Sequence, residues 1–93
     1  MRLAKVVGNV VATRKAELLV GQKLMVVQYY THEEKLQDGL EVVGDCVGAG
    51  IGDQVLVVRG GGANTAFGDK RLPIDSAIIG IVDSMEISKN ITP

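Results

Sequence analysis

The chain is poor in the residues that usually announce chemistry: among 93 residues it has no tryptophan, one histidine, one cysteine and two prolines. A lone cysteine, Cys46, excludes an internal disulfide, and an unpaired thiol fits a reducing, cytoplasmic compartment. His32 stands in "YYTHEEK" beside Glu33 and Glu34, too few ligands for a hydrolytic zinc site, and this one histidine in a polar loop is poor support as a base for Cys46, which sits on an apolar parity. No residue is therefore singled out as catalytic or metal-binding, and no cofactor is expected. Tyr29, Tyr30 and Phe67 are the only aromatics. Neighbouring tyrosines in a strand point to opposite faces, so they cannot form one base-stacking platform. Ten basic against eleven acidic residues, net −1 and without a like-charged run, leave no basic face for nucleic acid. No apolar stretch approaches the roughly 20 residues of a membrane-spanning helix. The opening "MRLAKVVGNVV" also lacks the apolar core and cleavage site of a signal peptide. The expectation is a chain with neither nucleic acid nor membrane as partner.

What is abundant is glycine, twelve residues, set between short clusters rich in valine and isoleucine. Short strands separated by glycine turns follow from that pattern. The length suits one domain, residues 1–93, because a second core would not fit in a chain at the low end of the about 50–200 residues of ordinary domains. In residues 2–13 Ala4, Val6, Val10 and Ala12 share a parity, with Gly8 as a point of bending. Residues 23–30, "KLMVVQYY", make a second strand, and Asp38-Gly39 turns the chain into a third beginning at Leu40. There Leu40, Val42 and Cys46 share a parity opposite to Glu41, Val43 and Asp45, which makes Cys46 a small core residue. "QVLVVR" at 54–59 reads as a strand covered on both sides. Residues 76–87 place Ala77, Ile79, Ile81, Met85 and Ile87 on one face, with Asp83 as an intrusion. One short helix is expected around "ANTAFGDK", between Gly62 and Pro73, with Pro73 ending it. Five strands without a second covering layer must hide their edges by curling up. The predicted fold is all-β, a small five-stranded OB-like β-barrel with one short helix.

Two glycine-rich stretches invite a nucleotide-binding reading. "GAGIG", with Gly48, Gly50 and Gly52, lacks the G-x-G-x-x-G order and leads into a strand instead of a helix, so it reads as a tight turn that Asp53 helps to fix. "VLVVRGGGAN" has the order strand, glycines, helical turn, and successive N–H groups there could cradle an anion. It lacks the Walker lysine and a long helix. Gly60, Gly61 and Gly62 read as a corner where backbones come close, most simply against another subunit.

The stretches "KVVGNVVATRK", "GQKLMVVQ", "DCVGAGIGDQVLVVRGGGAN" and "LPIDSAIIGIVDSMEI", in this order, resemble the EutN/CcmL family of bacterial microcompartment vertex proteins over nearly the whole chain. The resemblance implies a five-stranded barrel with a short helix, a homopentamer, and a place at the vertices of a polyhedral shell beside hexameric shell proteins. It implies no enzyme activity. One departure is Asn64, where many members carry an arginine in a G-S-S-A-R type segment; no ionic role is carried over to it. Gly48, Gly50, Gly52, Gly60, Gly61, Gly62 and Asn64 are expected to be structural turns and subunit contacts. The alternative from the residues themselves is an OB-like module binding nucleic acid or a small anionic ligand.

Overall fold

The computed structural model describes residues 1–13, 15–68 and 73–88. Strands β1 (Arg2–Val10), β2 (Leu24–Tyr29), β3 (Glu41–Asp45), β4 (Gln54–Arg59) and β5 (Ser76–Ile81) are joined by loops holding one 3-10 turn, Glu17–Leu19, and one helix, α1 (Gly61–Phe67). The strands close into a barrel in the order β1-β2-β3-β5-β4. Every neighbouring pair is antiparallel except β3 and β5, which run parallel and pair only through Gly44–Ala77 and Asp45–Ile78.

Strand alternation explains the core. Ala4, Val6, Met25, Val27, Tyr29, Val43, Val55, Val57 and Ile78 turn inward, and Ala49 is added from a loop. Each valine fully withdrawn from water contributes about 1.5 kcal/mol or more, so this small interior is the main source of stability. A barrel of five short strands needs sharp bending. In β1 the register steps from Val6–Val27 to Gly8–Val26, leaving Val7 unpaired in a bulge at the expected point of bending. The strand stops at Val10, so Ala12 lies outside it.

Three expectations are corrected here. In β3 the inward parity is the one carrying charge: Val43 is buried, whereas Leu40 and Val42 are 69% and 50% exposed and Cys46 is exposed, not a core residue. The reason is that the inward positions of a short barrel strand reach its two mouths, where Glu41 and Asp45 find polar partners. In β5 the inward side chain is Ile78, fully buried, while Ile79 is half-buried and Ile81, Met85 and Ile87 are exposed in one chain. The strand ends at Ile81; Val82 N–H still bonds the Gln54 carbonyl of β4 at 2.8 Å, and residues 83–88 continue outside any strand. Helix α1 begins at Gly61, within the glycine run, and Gly68, left-handed at φ 72°, ends it before Pro73 is reached. The rest of the segment leading to Pro73, residues 69–72, lies outside the described residues.

Helix α1 packs against β4 and β5 on the outer side of the barrel, over the short parallel seam. Its Ala63 is fully buried, as is Ala77 of β5. Gly44 is the tightest point: a Cβ there would stand 2.5 Å from Cζ of Phe67 and 3.2 Å from Ile74. Gly44→Ala is therefore expected to displace the Phe67 ring and destabilise the fold by about 1–3 kcal/mol, the usual range for overpacking. Thermal unfolding of Gly44→Ala and of Gly44→Ala with Phe67→Leu checks this; the double variant should recover part of the loss.

Candidate functional site

Polar residues are gathered at the two mouths of the barrel. At one, the Asp45 side chain is fully buried and acts as a hub. Its Oδ1 accepts the N–H groups of Val47 (3.0 Å) and Gly48 (3.1 Å), and its Oδ2 accepts that of Ala49 at 2.8 Å. Lys23 Nζ lies 3.3 Å from Asp45 Oδ2 and donates to the Ala49 carbonyl at 2.8 Å. The loop continues through an Asx turn, in which Asp53 Oδ2 accepts the Gly50 N–H at 2.8 Å, so Asp53 does fix this turn. Backbone bonds from Gly52 N to the Val6 carbonyl (2.8 Å) and from Val6 N to the Asp53 carbonyl (3.0 Å) join the loop to β1. The Gly48, Ala49 and Gly50 donors of the "GAGIG" stretch are thus turned onto the chain's own carboxylates.

At the other mouth, Glu41 accepts from Arg59 through Oε2 and from the buried Ser76 hydroxyl at 2.7 Å through Oε1. Two guanidinium groups flank the Tyr29 ring, Arg2 at 4.1 Å and Arg59 at 5.3 Å from its centroid. The Tyr29 hydroxyl is withdrawn from water and completes no hydrogen bond of good geometry. Burial raises its pKa, Arg59 lowers it and Glu41 raises it, and the balance lies above the usual tyrosine range. This cluster draws on all five strands.

The singled-out glycines divide by role. Gly48 (φ 79°), Gly52 (φ 96°) and Gly60 (φ 65°) occupy the left-handed half of backbone space, which a β-branched residue would not tolerate. Gly50 supplies the Asx-turn N–H, and Gly61 and Gly62 form the first turn of α1. Chain neighbours and the helix's own backbone aside, no atom of the described residues stands within 4 Å of a Cβ placed on Gly60 or Gly61, so crowding among them is not what selects glycine there. Asn64 belongs to α1, and its side chain lies outside the described part of the structure. Crowding acts instead at Gly44, which sequence patterning passed over. The Glu41–Arg59–Ser76 and Lys23–Asp45 groups were also missed, because their members are remote in sequence. His32 is nine-tenths exposed in its loop. The Cys46 thiol is pushed above its usual pKa by burial and then by the Asp45 charge, which makes it a poor nucleophile at neutral pH. Among the described residues no three His, Cys, Asp or Glu side chains are grouped to hold a metal.

A closed barrel in OB strand order, with hydrogen-bonded mouths and a helix laid over its seam, defines the class of the chain as a small OB-type barrel module. Residues 1–83 match the family described as ethanolamine utilisation protein EutN/carboxysome, and the chain belongs to this EutN/CcmL family. It is 47% identical over 87 residues to the bacterial microcompartment shell vertex protein GrpN of Rhodospirillum rubrum, covering 92% of this chain and 97% of that one. Against the carboxysome shell vertex protein CcmL of Synechocystis it is 41% identical over 88 residues, with 95% and 88% covered. The solved structure of the GrpN pentameric microcompartment shell protein from Rhodospirillum rubrum superimposes with a TM-score of 0.85 at 42% identity, covering 95% of this chain and all of that one.

Two outcomes are expected at the mouths. Asp45→Ala strands three backbone donors and the Lys23 ammonium, so it should destabilise by about 2–4 kcal/mol and speed amide exchange at Val47 to Ala49; Lys23→Met should cost about 1 kcal/mol or less, because Lys23 is half-exposed. Tyr29→Phe removes a buried hydroxyl that lacks a good partner and should leave stability unchanged or raised. Because the folded-state pKa of Tyr29 is raised, folding binds its proton more tightly than the unfolded chain does. That contribution is complete below about pH 10 and is lost as pH rises further, so alkaline melting should be less steep in the phenylalanine variant.

Proposed function

We propose that this chain is a structural shell protein whose pentamers cap the vertices of a bacterial microcompartment, inside the cytoplasm. The observation that carries the reading is the nearly full-length likeness, in sequence and in fold, to a pentameric microcompartment shell protein. The physical argument is geometric. A flat layer of six-fold tiles closes into a polyhedron only where some positions are five-fold, so a five-fold tile supplies curvature that hexameric tiles lack. Hexameric shell proteins are accordingly the proposed neighbours, and no catalytic role is assigned. A small core adds a reason to associate: one chain of this size gains only a few kcal/mol from its interior, and burying outward apolar residues between copies adds to that. The glycine loops at Gly48 to Gly52 and Gly60 to Gly62, with Asn64, are proposed as the turns that shape the subunit contacts.

A ring of five copies uses a heterologous interface, in which one patch meets a different patch on the next copy. Light scattering at micromolar concentration should give five times the mass of the chain, and a monomer or dimer would overturn the reading. In cells, removal of this chain and of any related vertex protein should leave elongated or open shells around enzymes of unchanged specific activity. Electron microscopy with cargo assays on the same lysates checks this, and closed polyhedra of normal shape would contradict it.

A further inference from the structure

Beside the Glu41 mouth lies a cavity of about 370 Å³ on the outer side of the barrel, walled by Arg2 and Leu3 of β1, Tyr30 after β2, and Met85 and Ile87 of the segment that follows β5. Two features of this wall are incomplete in a single chain. The apolar parity of β5 breaks at Asp83 and resumes at Met85 and Ile87, yet strand pairing stops at Ile81, and the two side chains are 44% and 48% exposed. Arg2 lies over the Tyr29 ring and donates to Gln37 Oε1 at 3.1 Å, but no carboxylate pairs with it among the described residues.

Leu40 and Val42 are two exposed apolar side chains that such a cavity could take. They project outward before and within β3, 69% and 50% exposed. They stand on a different face, since β2 separates β3 from β1. They also stand at the same mouth, because Gln37 of their approach segment bonds to Arg2. Copies related by a rotation join one patch to a different patch on the next copy, and where the barrel axes run along the rotation axis those patches lie at equal height. Val11, Val20, Val47 and Ile51 are exposed too, but they flank the opposite mouth, at the end of β1, the start of β2 and the loop after β3. Charge agrees with the pairing. Asp38 precedes Leu40 by two residues and is exposed, and the cavity wall carries the Arg2 guanidinium as the cation it can meet, beside one carboxylate, Glu34.

We infer that the cavity receives Leu40 and Val42 of a second copy of this chain, with Asp38 of that copy facing Arg2, and that Met85 and Ile87 are interface residues completed by this contact. The inference rests on the pentamer reading and names its contact. It is a hydrophobic contact with a charged rim, the arrangement in which a few central side chains carry most of the binding.

The test uses the full chain and the variants Leu40→Asp and Met85→Asp, followed by light scattering at micromolar concentration and by circular dichroism. Both side chains are on the surface of one chain, so each variant should keep the barrel's spectrum. The parent should be pentameric, and each variant should lose the pentamer. Parent and variants all pentameric would overturn this contact and leave the vertex reading standing; a monomeric parent would overturn both. A second measurement does not depend on disruption. In a Cys46→Ser background, Leu40→Cys chains and Met85→Cys chains are mixed, allowed to exchange and oxidised. A disulfide-linked dimer that requires both variants supports the contact. No dimer in the mixture, or as much from one variant alone, overturns it.

Discussion

Closing five short strands into a barrel is the constraint on which the rest of this structure depends. The sheet has only a two-pair parallel seam at which β3 meets β5, and a seam that short leaves backbone and core exposed unless something is laid over it. Helix α1 does this. It lies close because the residues beneath and within it are small, Gly44 and Ala77 on the strands and Gly62 and Ala63 on the helix, while Phe67 fills the space above Gly44. The triple glycine is thus the entry to a seam cover, and its one strained position is Gly60, with a backbone conformation of φ 65° and ψ −136° that suits glycine alone.

The same closure creates two mouths, and each is sealed by charge. An inward position at a strand end is half in the core and half at the rim, so it can hold a carboxylate provided every lone pair is met. Asp45 meets three N–H groups and Lys23; Glu41 meets Arg59 and Ser76. These bonds hold the loops in one conformation. A rigid loop loses little entropy when a partner covers it, which suits a tile whose task is to hold an angle between neighbours. The outward apolar residues lie outside this interior, and in the proposed reading they are surface for assembly.

Much of the fold was legible in the residues. Alternation of valine and isoleucine placed five strands, β4 at its observed ends, and the absence of a second layer pointed to closure. Gly8 marked the bend and Asp53 the turn. The family blocks carried the fivefold reading, which composition alone could not reach. Alternation misread β5, where Ile78 and not Ile79 or Ile81 faces inward, and β3, where it took Glu41 and Asp45 for solvent-facing and Cys46 for core. Period two says which residues share a side, but it cannot say which side is inside when charged and apolar residues are mixed.

The sequence by itself determined the class of the chain, its strands and its turns, because those follow from steric preferences of single residues and their neighbours. Only the tertiary structure decided which parity of β3 faces inward, why Gly44 must lack a side chain, and which carboxylates meet which donors. These depend on residues far apart in the chain, such as Glu41 with Arg59 and Ser76, or Gly44 with Phe67. Their contacts exist only once the barrel has closed, and no local pattern records a distance that closure sets.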